Sequence, residues 1–242
     1  MRAQNINFPD QQVTCVFPEK LADLGQALSE LHLNGSHPVI VLIGGDIDEK
    51  QADVTRRAIQ TISRIAEELH ALVICQGTGM GIMAEIGLAR SKSAFTFPLV
   101  GMAPEELVTW ADGPASTKKS WWGKKQRWQL EPHCTHFILV PGSEFGDESP
   151  WIVDAATLLS KDSSSVTVLL NGGEISRKDV ELSLKSGRPV IALSRTGHLA
   201  DELSREPARN PMISIAPAIA DGRILELIQT ALSTNGKSMP IQ

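Results

Sequence analysis

The segment CQGTGMGIMAEIG, residues 75–87, sets Gly77, Thr78, Gly79, Met80 and Gly81 directly before a run with helical character. At a strand-to-helix turn such residues serve anions. Glycine lets the backbone come close, and the free N–H groups of the first helical turn carry partial positive charge. Further glycines follow other apolar runs, at Gly44 and Gly45, Gly142 and Gly146, Gly172 and Gly173, and Gly197. One such turn needs glycine for geometry alone; several on one edge of a sheet point to a phosphate or nucleotide. The stricter signatures are missing: GxGxxG would need glycine where Ile82 stands, and neither GxxxxGK[ST] nor GxSxG occurs.

Among the acids, Glu148 is the candidate catalytic residue. It falls at the start of a helix after an apolar strand, flanked by Glu144 and Asp147. A carboxylate there would stabilise the cation-like sugar of an N-glycosidic cleavage, or activate water. The alternative is that these acids only complement the positive helix end, worth ~0.3–1 kcal/mol. Asp46 and Asp48 either grip ribose hydroxyls or cap the next helix, and Asp201 is expected to orient backbone N–H groups around Gly197. His133, Cys134 and His136 cluster, but their spacing fits no common zinc pattern, so no metal is expected and no cofactor is implied.

All five tryptophans lie between Trp110 and Trp151. The stretch KKSWWGKKQRW interleaves Lys118, Lys119, Lys124, Lys125 and Arg127 with Trp121, Trp122 and Trp128, without one acid. Trp121, Trp122, Lys124, Lys125 and Trp128 would form a lid that stacks a base and neutralises phosphate. The same stretch would serve as a subunit interface in a homo-oligomer such as a dimer. Single-stranded nucleic acid ranks third, because the chain carries a formal charge of −5.

The elements that must position these residues read as strand–helix alternation. Val/Ile/Leu-rich runs at 38–45, 71–77, 97–104, 136–142, 165–173 and 188–194, with 212–217 as a seventh, look like buried parallel strands. Between them, Val54, Ala58, Ile62, Ile65 and Leu69 make one apolar helical stripe, and residues 149–161 and 221–232 behave alike. The expected fold is α/β: a Rossmann-like, doubly wound, mainly parallel sheet of about six or seven strands with helices on both faces. Residues 1–236 read as a single domain, with a long connection over 105–135 and a frayed tail over 237–242. At 242 residues, 42% hydrophobic and 21% charged, with three scattered cysteines and no signal-like or membrane-length apolar run, the chain reads as cytoplasmic, with no membrane partner.

The whole pattern resembles the SLOG superfamily, in particular the LSDAT branch shared with the N-terminal cytosolic region of melastatin-type TRP channels, in its prokaryotic stand-alone form. VLIGG resembles the opening V-GG strand end of that branch, and GTGMGIMAEIG its GGT-x-x-GVM-x-x-VG turn, matching at Gly77, Thr78, Gly81, Met83 and Gly87. VGMAP, HCTHFILV, GDE at 146–148, LLNGG and TGHLADEL follow in the family's order. The resemblance implies a nucleotide-derived ligand. Relatives bind ADP-ribose-like molecules in the channels, strip ribose phosphate from nucleotides in the Lonely Guy enzymes, or bind single-stranded DNA in the DprA proteins.

Several positions depart from the pattern. Gln76 stands where a second glycine is expected, Arg195 replaces a glycine, and His198 replaces an arginine; either of the last two would still face a phosphate. PGSEFGDES is a degraded form of the PGGxGTxxE loop of the Lonely Guy enzymes, with Ser143 for the second glycine, and Ile152 takes the place of a basic residue. These losses weaken phosphoribohydrolase chemistry and leave ligand binding intact. The reading is therefore a sensor or signal-handling protein for an ADP-ribose- or nucleoside-phosphate-like molecule. An N-glycosidic nucleotide hydrolase is the alternative.

Overall fold

The computed structural model describes residues 1–111, 113, 127–161, 163–205 and 210–233. The chain opens with a hairpin, β1 (Arg2–Asn7) and β2 (Gln12–Phe17), paired antiparallel. It continues through α1 (Leu24–Glu30), β3 (Val39–Gly44), α2 (Ala52–Glu68), β4 (Leu72–Gln76), α3 (Gly81–Lys92) and β5 (Leu99–Pro104). Two short strands follow, β6 (Val108–Thr109) and β7 (Trp128–Gln129), and then β8 (His136–Val140) and α4 (Ser149–Leu159). The last units are β9 (Ser165–Leu170), α5 (Glu174–Lys185), β10 (Val190–Ser194), α6 (His198–Arg205), β11 (Ile213–Pro217) and α7 (Asp221–Ser233).

The main sheet has nine strands in the order β1-β2-β8-β5-β4-β3-β9-β10-β11. Every pairing in it is parallel except that of β1 with β2. The count expected from sequence, about six or seven, is thus too low: the seven apolar runs are all strands, and the hairpin adds two. The hairpin escaped notice because β1, RAQNIN, is an edge strand with Ile6 as its one buried residue. Its apolar content is too small to announce a strand. The connection over 105–135 is also less bare than expected, since β6 and β7 pair parallel within it and Leu130 bridges to Thr78.

The sheet is covered on both faces by separate apolar layers, as a doubly wound fold requires. One layer packs Ala58, Ile62 and Ile65 of α2, Ile82 and Ile86 of α3, and Ile224 and Ile228 of α7 against the strands. The stripe foreseen on α2 is there and wider: Ile59 and Ala66 are buried with it, while Val54 and Leu69 are partly buried at its ends. The other layer takes Leu24 and Leu28 of α1, Trp151 and Ile152 of α4, Val180 of α5 and Leu199 of α6. Ile152, where the resemblance expects a basic residue, is a core side chain.

From β3 the chain winds outward through β4, β5 and β8, then returns to place β9 on the other side of β3. The order therefore reverses between β3 and β9, and in sheets of this kind the crevice beyond the carboxyl ends at such a reversal is where ligands bind.

Candidate functional site

A cleft of about 350 Å³ opens at that reversal. Its floor is the end of β3, Gly44, Gly45 and Asp46, and one wall is the turn after β4, Gln76, Thr78 and Met80, with Met83 of α3. The facing wall is the start of α5, from Gly173 to Ser176, and Phe145 projects from the loop before α4.

The turns that form the cleft are stapled by one buried side chain. Asn171 is 1% exposed and adopts φ +46, a conformation that asparagine tolerates better than most residues. Its Oδ1 accepts the Gly45 N–H at 2.7 Å and the Gly172 N–H, and its Nδ2 donates to the Asp46 carbonyl at 2.8 Å. The turns after β3 and β4 also touch: the Ile82 N–H donates to the Gly45 carbonyl at 3.2 Å. Gly81 has φ +52, and a Cβ there would fall on the Gly45 carbonyl, so this position admits only glycine without displacement.

Two helices begin at the cleft with no side-chain cap. α3 is preceded by Met80 in extended conformation, and α5 by Gly173. At α3 the Ile82 and Met83 N–H groups are already taken by the Gly45 and Met80 carbonyls, so α5 offers the freer donors, and both helix ends carry partial positive charge. Around them Met80, Met83, Phe145 and Ile175 supply apolar surface. Phe145 is backed edge-on by Trp128, with ring centroids 4.9 Å apart. The cleft thus combines anion-favouring backbone at one side with apolar walls suited to a planar group.

α4 also begins without a side-chain cap, and the acids just before it fasten the preceding loop. The Asp147 carboxylate accepts the N–H groups of Ser143 at 2.9 Å and Glu144 at 3.1 Å, and Gly142 leaves the room Asp147 occupies. Glu148 is fully buried; its Oε1 accepts from Gln76 Nε2 at 2.6 Å and its Oε2 from the Gly146 N–H at 2.8 Å. Burial pushes its carboxyl up to about 7. Asp179 of α5, likewise buried, is raised to about 6 by the same cause and adds to the effect on Glu148.

Of the residues singled out in the sequence, Gly44, Gly45, Asp46, Thr78, Met80 and Gly173 line the cleft together. Gly77 packs against Gly101 and Phe137 instead, and the Gly79 N–H is used by the Gln129 carbonyl. Gly142, Ser143, Glu144, Gly146 and Glu148 build the loop behind Phe145, and Gly172 backs the start of α5. Arg195, Gly197 and His198 form the neighbouring turn after β10, where His198 Nε2 lies 3.0 Å from Asp48 Oδ2. Asp201 accepts the Arg195 N–H, the backbone-orienting role foreseen for it. His133 is held by Glu131, and His136 contacts Thr135, so the His/Cys cluster does not converge. Trp121, Trp122, Lys124 and Lys125 lie outside the described residues, and Trp128 alone of the lid candidates is placed.

Sequence reasoning misses Asn171, Phe145 and residues 174–176. Gln76 it notes only as a departure from glycine. The available signals were local: asparagine directly before a Gly-Gly pair, and a lone phenylalanine inside a Gly/Ser/acid loop.

Fold and site define the class as a Rossmann-like α/β domain with a cleft at its topological switch point. A family model described as "SLOG in TRPM, prokaryote" matches residues 37–235, and the chain belongs to that family. No curated protein matches it significantly in sequence. Among solved structures it is similar to the structural-genomics protein TM1055, at 17% identity and TM-score 0.55, covering 80% of this chain and 99% of that one. Two structures of the molybdenum cofactor carrier protein from Chlamydomonas reinhardtii are similar at 16% identity, with TM-scores 0.52 and 0.53. They cover 80% and 81% of this chain and 99% of theirs. At these identities the likeness is one of fold.

Proposed function

We propose that this protein binds a nucleotide-derived small molecule in the β3/β9 cleft, with its phosphate at the uncapped start of α5 opposite that of α3. The observation that carries the reading is that two helix amino ends without side-chain caps share one cleft with apolar walls. A volume of about 350 Å³ is at the lower end of the ~300–1,000 Å³ usual for ligand pockets and suits a nucleoside monophosphate. An ADP-ribose-like ligand would extend from Asp46 toward Asp48, Arg195 and His198. The family's ligand chemistry and the cofactor carried by the Chlamydomonas neighbour, a small molecule, are in keeping with this.

Binding without cleavage is favoured over glycosidic hydrolysis. Glu148, the candidate catalytic carboxylate, is enclosed, and both its oxygens are committed to Gln76 and Gly146. Incubation with AMP should release no free base by chromatography; steady release lost in Glu148→Gln would establish the hydrolase instead.

The deciding test is calorimetric titration with AMP, ADP-ribose, cyclic nucleotides and NAD on the wild type and on Gly173→Asp. A Cβ at Gly173 meets nothing within 4 Å, and aspartate is a good helix cap, so this variant should melt no lower than wild type. Its carboxylate would occupy the phosphate position, and affinity should fall at least about tenfold. Undiminished binding by Gly173→Asp would place the anion elsewhere.

A further inference from the structure

Gln76 ends β4 in the wall of the cleft, where the family pattern has glycine, and its side chain is not free to turn. Its Nε2 donates to Glu148 Oε1 at 2.6 Å. Glu148 is itself fully buried at the amino end of α4, with Oε2 anchored by the Gly146 N–H at 2.8 Å. A carboxylate only accepts hydrogen bonds, so the amide nitrogen must face it, and the sense of the amide is thereby set. The carbonyl occupies the other branch of the amide, in a residue that lines the cleft, and no described residue donates to it. The cleft it lines also holds apolar surface from Met80, Met83 and Phe145, and the hydroxyls of Thr78 and Ser176, neither of which donates to it.

We propose that Gln76 determines the specificity of the cleft, its carbonyl Oε1 being held open to accept an N–H from the planar group of the ligand. The inference rests on the nucleotide reading above and adds to it the chemical class of the base: one that carries an amino group or ring N–H on its hydrogen-bonding edge. Selection works by penalty. A base lacking the donor would cover an acceptor and leave it unsatisfied, which is costlier than a merely absent contact. Other residues at this position would fail in distinct ways: glutamate would face Glu148 with like charge, and an aliphatic side chain would leave Glu148 buried without its donor.

The test compares two nucleotides on the intact protein by titration calorimetry: AMP, and purine riboside 5′-monophosphate, which keeps ring, sugar and phosphate but lacks the 6-amino group. The measurement is made at about pH 8.5, above the value of about 7 to which burial raises Glu148, so that the carboxylate fixes the amide. Wild-type protein should bind the analogue about tenfold more weakly than AMP. Gln76→Met should bind the two alike. If that variant fails to fold, Gln76→Ala takes its place and should likewise bind the two alike. Equal wild-type affinity for both, or discrimination that persists in Gln76→Met, overturns the role of Gln76 and leaves the phosphate cleft standing. Binding of neither nucleotide overturns this inference together with the mononucleotide reading.

Discussion

Asn171 and Glu148 show how single buried polar side chains shape this edge of the sheet. Asn171 satisfies three backbone groups on two turns while sitting at φ +46. Asn171→Ala would orphan those groups and keep the strained backbone, so unfolding free energy should drop by about 2–3 kcal/mol in urea titration, with weakened nucleotide binding. Asn171→Gly relieves the backbone alone and should restore only part of that loss. Glu148 acts through its proton. Its folded-state value, about 7, lies above the ordinary 4.5, so between those values the native protein holds a proton that the unfolded chain has released. Asp179, raised from 3.8 to about 6, acts in the same direction. Their stabilising contribution is complete below the unfolded values and is lost as pH rises through about 6–7. The urea midpoint should therefore fall from pH 5 to pH 8 through these two groups, and Glu148→Gln should flatten the slope. A midpoint profile unchanged by that substitution would contradict the enclosed, proton-holding carboxyl.

At the scale of elements, the start of each helix decides what the carboxyl edge can do. Asp147 and Glu148, just before α4, bind the N–H groups of Ser143, Glu144 and Gly146 and set two carboxyl groups beside that helix start. α3 has its Ile82 and Met83 N–H groups taken by the Gly45 and Met80 carbonyls, whereas α5 begins without a side-chain cap, with Glu174 in its first turn. Gly81 couples α3 to the turn after β3, because its backbone lies where any Cβ would strike the Gly45 carbonyl. Gly81→Ala should lower the melting temperature by several degrees, the left-handed conformation alone costing about 1–2 kcal/mol. It should disturb ligand binding as well, since Gly45 and Asp46 form the cleft floor. Phe145 is the complementary case: it is an apolar wall on a loop, backed by Trp128. Phe145→Ala should weaken binding of a stacked base while leaving the melting temperature within a few degrees, because the residue lies outside both core layers.

Across the whole molecule, no helix among the described residues is long and apolar enough to cross a membrane. The winding of the chain about β3 is what makes one cleft out of turns that are far apart in sequence. Residues 44–46, 76–80 and 173–176 meet because β3 is flanked by β4 and β9. The β6/β7 pair returns the chain beside this assembly, with Gln129 holding the Gly79 N–H and Trp128 against Phe145. The homo-oligomer expected from the Trp/Lys-rich stretch concerns residues largely outside the described ones, and sedimentation velocity with and without nucleotide tests it directly.

The seven apolar runs, the stripe on α2 and the run of glycine-bearing strand ends were legible from the chain alone. Hydrophobic periodicity and backbone requirements are local properties, readable residue by residue. The polar edge hairpin was not, because an edge strand with one buried side chain carries almost no periodic signal. Nor was the division of labour among the glycines. Gly77 serves strand packing and Gly81 a backbone contact, a difference set by neighbours 24 and 36 positions away from them, Gly101 and Gly45. The pairing of Gln76 with Glu148 spans 72 residues and exists only because β4 and the start of α4 reach the same edge. Residue types thus marked out this edge as the candidate site. Tertiary structure decided which backbone N–H groups are already taken and which acid is sealed away, because both depend on which distant groups satisfy one another.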